Sequence, residues 1–107
     1  MKQYTTPEQT YKLIELGFKP KVEIKEVQTV DSEIHVYYDC YFTIGELIEV
    51  LPESASQRLR YVATKRAWIV DVDVLGKDGK CHRGIYYAEL IDALYDMVIK
   101  LKEEGVI

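Results

Sequence analysis

The sequence has few cysteines, no long apolar run and no stretch rich in proline or glycine. Cys40 and Cys81 lie far apart in the chain, so we expect two reduced thiols in a cytoplasmic protein. No apolar run approaches the roughly 18 residues that a membrane span needs. The first ten residues, MKQYTTPEQT, lack the hydrophobic stretch of a secretory signal. We therefore expect a cytoplasmic protein with no membrane association.

What remains is the composition of an ordinary globular protein. The 107 residues are 48% hydrophobic and 30% charged, which favours one folded domain over residues 1–107. No internal repeat or linker divides this chain. The net charge of −4 gives the molecule as a whole no attraction for nucleic acid or anionic lipid.

The strongest structural signal is an amphipathic segment at residues 88–104. Apolar residues recur there at spacings of three and four, which places them on one side of a helix that ends at Gly105. The width of the apolar arc favours a helix packed against a sheet. The predicted buried residues are Leu90, Ile91, Leu94, Met97, Val98 and Leu101, with Tyr87, Tyr95 and Ile99 at the margins.

Two shorter helices are predicted from their capping signals. Thr6 and Gln9 form a capping-box pattern, which predicts a helix over residues 7–16 that ends at Gly17. We expect Tyr11, Leu13 and Ile14 to form its buried side. Thr43 and Glu46 repeat the pattern and predict a helix over residues 44–51, with the buried residues Ile44, Leu47, Ile48 and Leu51.

Five extended segments separate these helices, at residues 22–27, 34–41, 57–64, 67–75 and 81–87. A turn at residues 29–33 allows the first two to pair as a hairpin. The loop at 76–79 predicts a tight connection in a three-strand meander, and Gly84 suggests a bulge in its last strand. The prediction is an α+β domain, with three helices packed on a small antiparallel sheet. Whether the first hairpin extends that sheet remains open.

Catalytic and metal patterns are weak. A zinc site would need Cys81 and His82 together, but neighbouring strand residues point to opposite faces. His35 and Cys40 differ in the same way. Asp71 and Asp73 share a strand face about 7 Å apart, a spacing that suits a cation or an acid–base pair but also an ordinary solvated face. We expect no catalytic residue, no bound metal and no cofactor.

The distribution of charge is more informative. Residues 1–56 carry ten acidic against five basic residues, whereas residues 57–83 carry seven basic against three acidic ones. Such a basic, aromatic strip can bind an acidic partner or a phosphate backbone, although a solvated sheet face protected from aggregation has the same pattern. The candidate interaction surface is Arg58, Arg60, Tyr61, Lys65, Arg66, Arg83 and Tyr86.

Tyrosine is unusually frequent, with nine residues against two Phe and one Trp. Adjacent tyrosines at 37–38 and 86–87 place one ring of each pair away from the core face of a strand. Exposed tyrosines are typical of contact surfaces, and a dimer is one way to use them.

Several segments resemble small uncharacterised proteins encoded by phages and prophages of Bacteroides-type bacteria. The segments are TPEQ and LIELGFKP near the start, YFTIGELIEVLP in the middle, a strand containing Trp68, and ELIDALYDMVIKLKEEGVI at the end. The resemblance implies a cytoplasmic accessory protein and supplies no activity, cofactor or functional residue.

The sequence thus favours a non-enzymatic module that binds a protein partner or another copy of itself. One alternative is a nucleic-acid-associated protein that contacts phosphates through Arg58, Arg60, Lys65, Arg66 and Arg83. The other is a small metal-dependent enzyme built on Asp71, Asp73 and His82.

Overall fold

The structure, a computed structural model, describes residues 2–52, 57–74 and 80–107, and it describes side chains there except for residues 22–30, 33–39, 57–58, 73–74 and 80. The predicted connector at 53–56 and loop at 76–79 lie outside the described residues. The elements are α1 (Pro7–Glu15), β1 (Val22–Val30), β2 (Glu33–Tyr41), α2 (Ile44–Val50), β3 (Gln57–Val62), β4 (Ala67–Val74), β5 (Lys80–His82) and α3 (Leu90–Glu103).

Capping boxes begin the first two helices, as predicted. The Gln9 N–H donates to Thr6 Oγ1 at 3.2 Å, while the Thr6 N–H donates to Gln9 Oε1 at 3.0 Å. Thr43 and Glu46 repeat this exchange at 3.2 and 3.4 Å. Each pair satisfies backbone donors that a helix start leaves without partners, so these helices are fixed locally.

The predicted glycine stops are also confirmed. Gly17 and Gly105 have φ values of 99° and 75°, a left-handed conformation that favours glycine. At α1, the Phe18 N–H donates to the Leu13 carbonyl at 3.0 Å and the Gly17 N–H to that of Ile14 at 3.0 Å. Residues 101–106 repeat this Schellman pattern at the end of α3.

The core forms around α3, which packs against β4 on one side and α2 on the other. All six residues of the predicted stripe are buried, and Ala93 joins them. The helix begins at Leu90 instead of residue 88. Tyr87 exchanges two backbone hydrogen bonds with Trp68, at 2.6 and 2.9 Å, and this bridge holds the chain extended before the helix.

The predicted buried side of α1 is wrong in two of three residues. Tyr11 and Ile14 are 72% and 41% exposed, whereas Leu13 and Thr10 are buried. The Thr10 hydroxyl lies 2.7 Å from the Thr5 hydroxyl, which also accepts the Phe42 N–H at 3.0 Å. This buried polar contact turns the Thr10 side of α1 inward and leaves Tyr11 in solvent.

The sheet is the predicted antiparallel meander, in the order β3–β4–β5. Val70 and Val72 are buried on the face beneath α3, called here the inner face; Ile69 and Asp71 lie on the opposite, outer face. β3 ends at Val62 rather than residue 64, because residues 63–66 form a turn with two backbone hydrogen bonds.

The last strand is shorter than the predicted segment 81–87. Pairing resumes only at Tyr87, and four residues lie between His82 and Tyr87, whereas three lie between their partners Val72 and Trp68. One extra residue is therefore accommodated near Gly84, the position predicted for a bulge. A Cβ at Gly84 would overlap the carbonyl oxygen of Val70.

Strands β1 and β2 pair antiparallel as the predicted hairpin and form a second sheet, separate from the meander. Val30 pairs with Glu33, so the turn is two residues long and both strands exceed their predicted lengths. The turn residues Asp31 and Ser32 have φ values of 51° and 64°, as a tight hairpin requires. The architecture is α+β, with three helices and an open three-stranded sheet. Among the described residues, no helix has the length and apolar character needed to span a bilayer.

Candidate functional site

The outer face of the three-stranded sheet contains a shallow concavity of about 350 Å³. Side chains of β3, β4, β5 and the segment that follows β5 surround it. Ile69 is its buried apolar residue. The described residues that line it are Arg60, Ile69, Asp71, Cys81, Arg83, Gly84 and Tyr86.

Asp71 contacts both β3 and the segment that follows β5. Its carboxylate accepts the backbone N–H of Gly84 at 3.2 Å and lies 3.5 Å from the Arg60 guanidinium. The Asp71 side chain is 13% exposed, whereas that of Arg60 is 59% exposed. Asp71 therefore positions the chain after β5, while Arg60 remains accessible to a ligand.

The absence of a side chain at Gly84 permits this geometry. Since a Cβ there would overlap the Val70 carbonyl oxygen, only glycine lets residues 83–86 lie this close to the middle of β4. That approach brings Arg83 and Tyr86 to the outer face. Gly84 thus has a role in forming the concavity that its sequence context did not reveal.

A cation and an aromatic ring form the rim. Lys65 Nζ lies 4.8 Å from the centre of the Tyr86 ring, within the range of a cation–π contact. Lys65 belongs to the turn between β3 and β4, and Tyr86 lines the concavity. Among the described side chains at the concavity and its rim, Arg60, Arg83 and Lys65 are cationic and Asp71 is acidic.

The residues of the predicted interaction surface do not all lie on one face of the sheet. Arg60, Arg83 and Tyr86 lie together, and Lys65 joins them through the Tyr86 ring. Tyr61 pairs with Trp68 in β4, and their ring centres are 5.2 Å apart on the inner face of the sheet.

The structure does not place the other two arginines of the predicted set in this group. Arg66 is exposed in the turn with φ at 49° and is not among the residues that line the concavity. Arg58 pairs with Asp71 through the strand register, but its side chain lies outside the described part of the structure.

The residues considered for a metal or acid–base site lie apart. His82 is buried on the inner face opposite Val72, and its Nδ1 is 2.9 Å from Glu104 Oε2 at the end of α3. Asp71 lies on the outer face, with its carboxylate held by Arg60 and Gly84. The side chain of Asp73 is not described. In the described residues, no three His, Cys, Asp or Glu side chains are grouped to hold a metal ion.

A second hollow, of about 330 Å³, lies on the other side of Arg83. Lys100 Nζ donates to the Arg83 carbonyl at 3.1 Å, which joins α3 to the segment after β5. Acidic residues predominate around this hollow, which is lined by Arg83, Ile85, Asp96, Ile99, Lys100, Glu103 and Glu104. Arg83 therefore lines both hollows, the basic concavity on the outer face and this more acidic one.

Comparisons with protein families, curated proteins and solved structures found no match to this chain.

Proposed function

We propose that this protein is a non-enzymatic interaction module whose outer sheet face binds an acidic segment of a partner protein in the cytoplasm. The observation that carries this proposal is the concavity in which Arg60, Arg83 and Tyr86 meet, with Lys65 at its rim. Among the described side chains of this site, three cations outnumber the Asp71 carboxylate, in a molecule whose net charge is −4. Such a patch orients an acidic partner and speeds its association.

The shape of the site supports a macromolecular ligand. The concavity is shallow, with apolar surface from Ile69 and Tyr86 beside the guanidinium groups. A glutamate or aspartate of the partner would bind the exposed Arg60 or Arg83 group, while a neighbouring apolar residue would pack on the Tyr86 ring. Arginine and tyrosine are the residue types that interfaces favour, which agrees with this mode of binding.

The resemblance of the helical segments to phage and prophage proteins supports a place for this protein among cytoplasmic accessory proteins of that origin. The reading frames beside its gene test this part of the proposal. Neighbouring genes for capsid, replication or lysogeny functions are expected, and a chromosomal neighbourhood without phage genes would contradict it.

Titration of a fluorescein-labelled peptide of alternating glutamate and tyrosine tests the binding site. The Arg83→Glu and Lys65→Glu variants should weaken binding about tenfold or more, because each replaces attraction by repulsion. Lys19→Glu is the matched control: it makes the same charge change at an exposed residue between α1 and β1, and should leave affinity nearly unchanged. Equal losses in all three variants, or no peptide binding, would contradict a localised acidic-partner site.

The same titration with a short single-stranded DNA separates the nucleic-acid alternative. Binding to DNA should be weaker than binding to the acidic peptide. If DNA instead binds more tightly, with an affinity that falls steeply with salt and a salt slope reduced by about one in Arg83→Glu, the surface binds phosphates and the protein-partner proposal fails.

A further inference from the structure

Strand β3 is an edge of the open sheet. In the order β3–β4–β5 it pairs with β4 on one side, and within the described residues no strand pairs with its other side. In an antiparallel pair, every second residue directs its N–H and C=O away from the partner strand. β3 therefore presents a row of backbone donors and acceptors that an added strand can use.

Apolar surface lies beside this edge on the inner face. Leu59 and Tyr61 are 41% and 50% exposed, although they sit opposite the inner-face residues Val70 and Trp68 of β4. The α3 helix packs on β4, so these β3 side chains remain half uncovered. Leu59, Tyr61 and the partly buried Trp68 form what we call the β3 shelf.

Basic groups lie beside the same edge on the outer face. The Arg60 side chain, whose guanidinium lies 3.5 Å from Asp71, is 59% exposed, and Arg66 is exposed in the turn that follows the strand. The edge thus combines apolar contacts on one face with positive charge on the other.

This charge selects between possible occupants. A second copy that added its own β3 antiparallel would bring arginines of the two copies opposite one another on the outer face, and like charges so placed destabilise strand pairing. An acidic strand would instead meet Arg60 with opposite charge. The same arginine that opposes self-pairing therefore favours an acidic partner.

We propose that β3 accepts a partner strand with alternating acidic and apolar residues as a fourth strand of this sheet. Its backbone pairs with the free edge of β3, its apolar side chains cover the β3 shelf, and its carboxylates lie near Arg60. The inference rests on the β3 edge and does not depend on ligand binding in the concavity.

The first test uses the complete chain, labelled with ¹⁵N, and a blocked heptapeptide with threonine ends and alternating valine and glutamate between them. Backbone amide exchange is measured by NMR with and without the peptide. We expect slower exchange at every second amide of β3, with peptide–β3 cross-strand NOEs. A peptide with lysine in place of glutamate should bind about tenfold more weakly. No binding, or binding without protection of β3 amides, overturns the proposal.

Two variants sharpen the test. Arg60→Glu should reverse the preference between the acidic and basic peptides, whereas Lys19→Glu should not. Leu59→Ser, which leaves the charge unchanged, should weaken both peptides by removing part of the β3 shelf. An unaltered preference in a folded Arg60→Glu variant overturns the charge argument. Protection of β3 amides in the free protein that grows with protein concentration would show that the occupant is a second copy, which also overturns the proposal.

Arg83→Glu distinguishes this inference from the proposed function, because Arg83 lines the concavity but lies outside β3. If it abolishes binding of the glutamate–tyrosine peptide while the valine–glutamate peptide leaves β3 amides unprotected, the concavity binds acidic segments and the strand-addition proposal fails. If β3 amides are protected and Arg83→Glu is without effect, strand addition stands and the concavity does not bind the partner.

Discussion

The two faces of the three-stranded sheet are covered in different ways. On the inner face, Val70 and Val72 are buried beneath the α3 helix, which is itself enclosed by α2. On the outer face, the neighbouring Ile69 is also buried, but long polar side chains surround it instead of a helix. Two adjacent residues of β4 thus have similar burial through different neighbours.

This difference suggests that the inner face serves mainly stability and that the outer face is the one suited to binding. Tightly packed apolar neighbours cannot move without loss of contacts, so the inner face contributes most to the free energy of unfolding. Long side chains such as Arg60 and Arg83 can change rotamer to meet a ligand. Binding of a partner on the outer face, as proposed, would therefore require little change to the fold. Substitutions on each face test this comparison.

The largest effect is expected from truncation on the inner side. Leu94→Ala should lower the free energy of unfolding by about 3–5 kcal/mol, because Leu94 is fully buried in the core cluster on α3, where tightly packed neighbours limit collapse of the cavity. Ile69→Ala, at the lower end of the range for such substitutions, should cost about 2 kcal/mol, since the surrounding side chains can move in. Urea denaturation measures both. Equal losses would mean that the outer face is packed as rigidly as the inner one.

A smaller effect is expected at Gly84, where the segment after β5 lies against the backbone of β4. Gly84→Ala should destabilise the protein by roughly 1–3 kcal/mol and disturb the concavity, because the added Cβ overlaps the Val70 carbonyl. Gly45→Ala is the matched control. Its Cβ would meet only Thr43 Oγ1 at 3.9 Å, inside α2, so a gain of about 0.4–1 kcal/mol is expected. If both variants melt at the wild-type temperature, the close approach of residues 83–86 to β4 is wrong.

The features predicted correctly from the sequence are those fixed by local chemistry. Thr6 and Thr43 begin helices because a hydroxyl and an amide or carboxylate three residues later satisfy each other's backbone groups. The stripe of α3 was recognisable because its period is helical and its buried positions are all apolar. The two-residue alternation of β4 likewise predicted that Val70 and Val72 share one face of the sheet.

The features predicted wrongly depend on distant partners. The buried side of α1 follows from the contact of Thr10 with Thr5, whose hydroxyl accepts the N–H of the distant Phe42, and a polar residue in a buried position has no periodic signal. The last strand was predicted too long because the overlap that constrains Gly84 involves the backbone of β4, at Val70. Neither effect can be deduced from the residues near it in the chain.

The candidate surface shows both kinds of result. The alternation of β3 already separates Tyr61 from Arg60, so their positions on opposite faces were implied by the sequence. The meeting of Arg83 and Tyr86 with Arg60 was not, because it depends on strand register and on the extra residue near Gly84. The basic character of the region was predictable, whereas the group that forms the concavity required the fold.

The smallest effect at neutral pH is expected from an ionisable residue on the inner face. Burial, followed by the negative charge of the Asp96 carboxylate and a hydrogen bond to it, raises the pKa of the Tyr87 hydroxyl above its ordinary value of 10.0. The neutral phenol is therefore favoured in the folded state. Its contribution to stability is fully present below the pKa of the unfolded chain and is lost as pH rises through the folded pKa.

Tyr87→Phe should lower the free energy of unfolding by about 0.5–1.5 kcal/mol at pH 8, the usual contribution of one hydrogen bond. The gap between wild type and variant should then narrow above about pH 10, where the wild type loses this contribution. Burial also raises the pKa of Tyr95, so the variant should retain part of the alkaline loss. Tyr11→Phe, on a ring that is 72% exposed, is the control and should follow the wild type throughout. If the difference in free energy of unfolding between wild type and Tyr87→Phe stays constant from pH 8 into the alkaline range, Tyr87 is not enclosed by α3. The covered inner face would then not extend to residue 87.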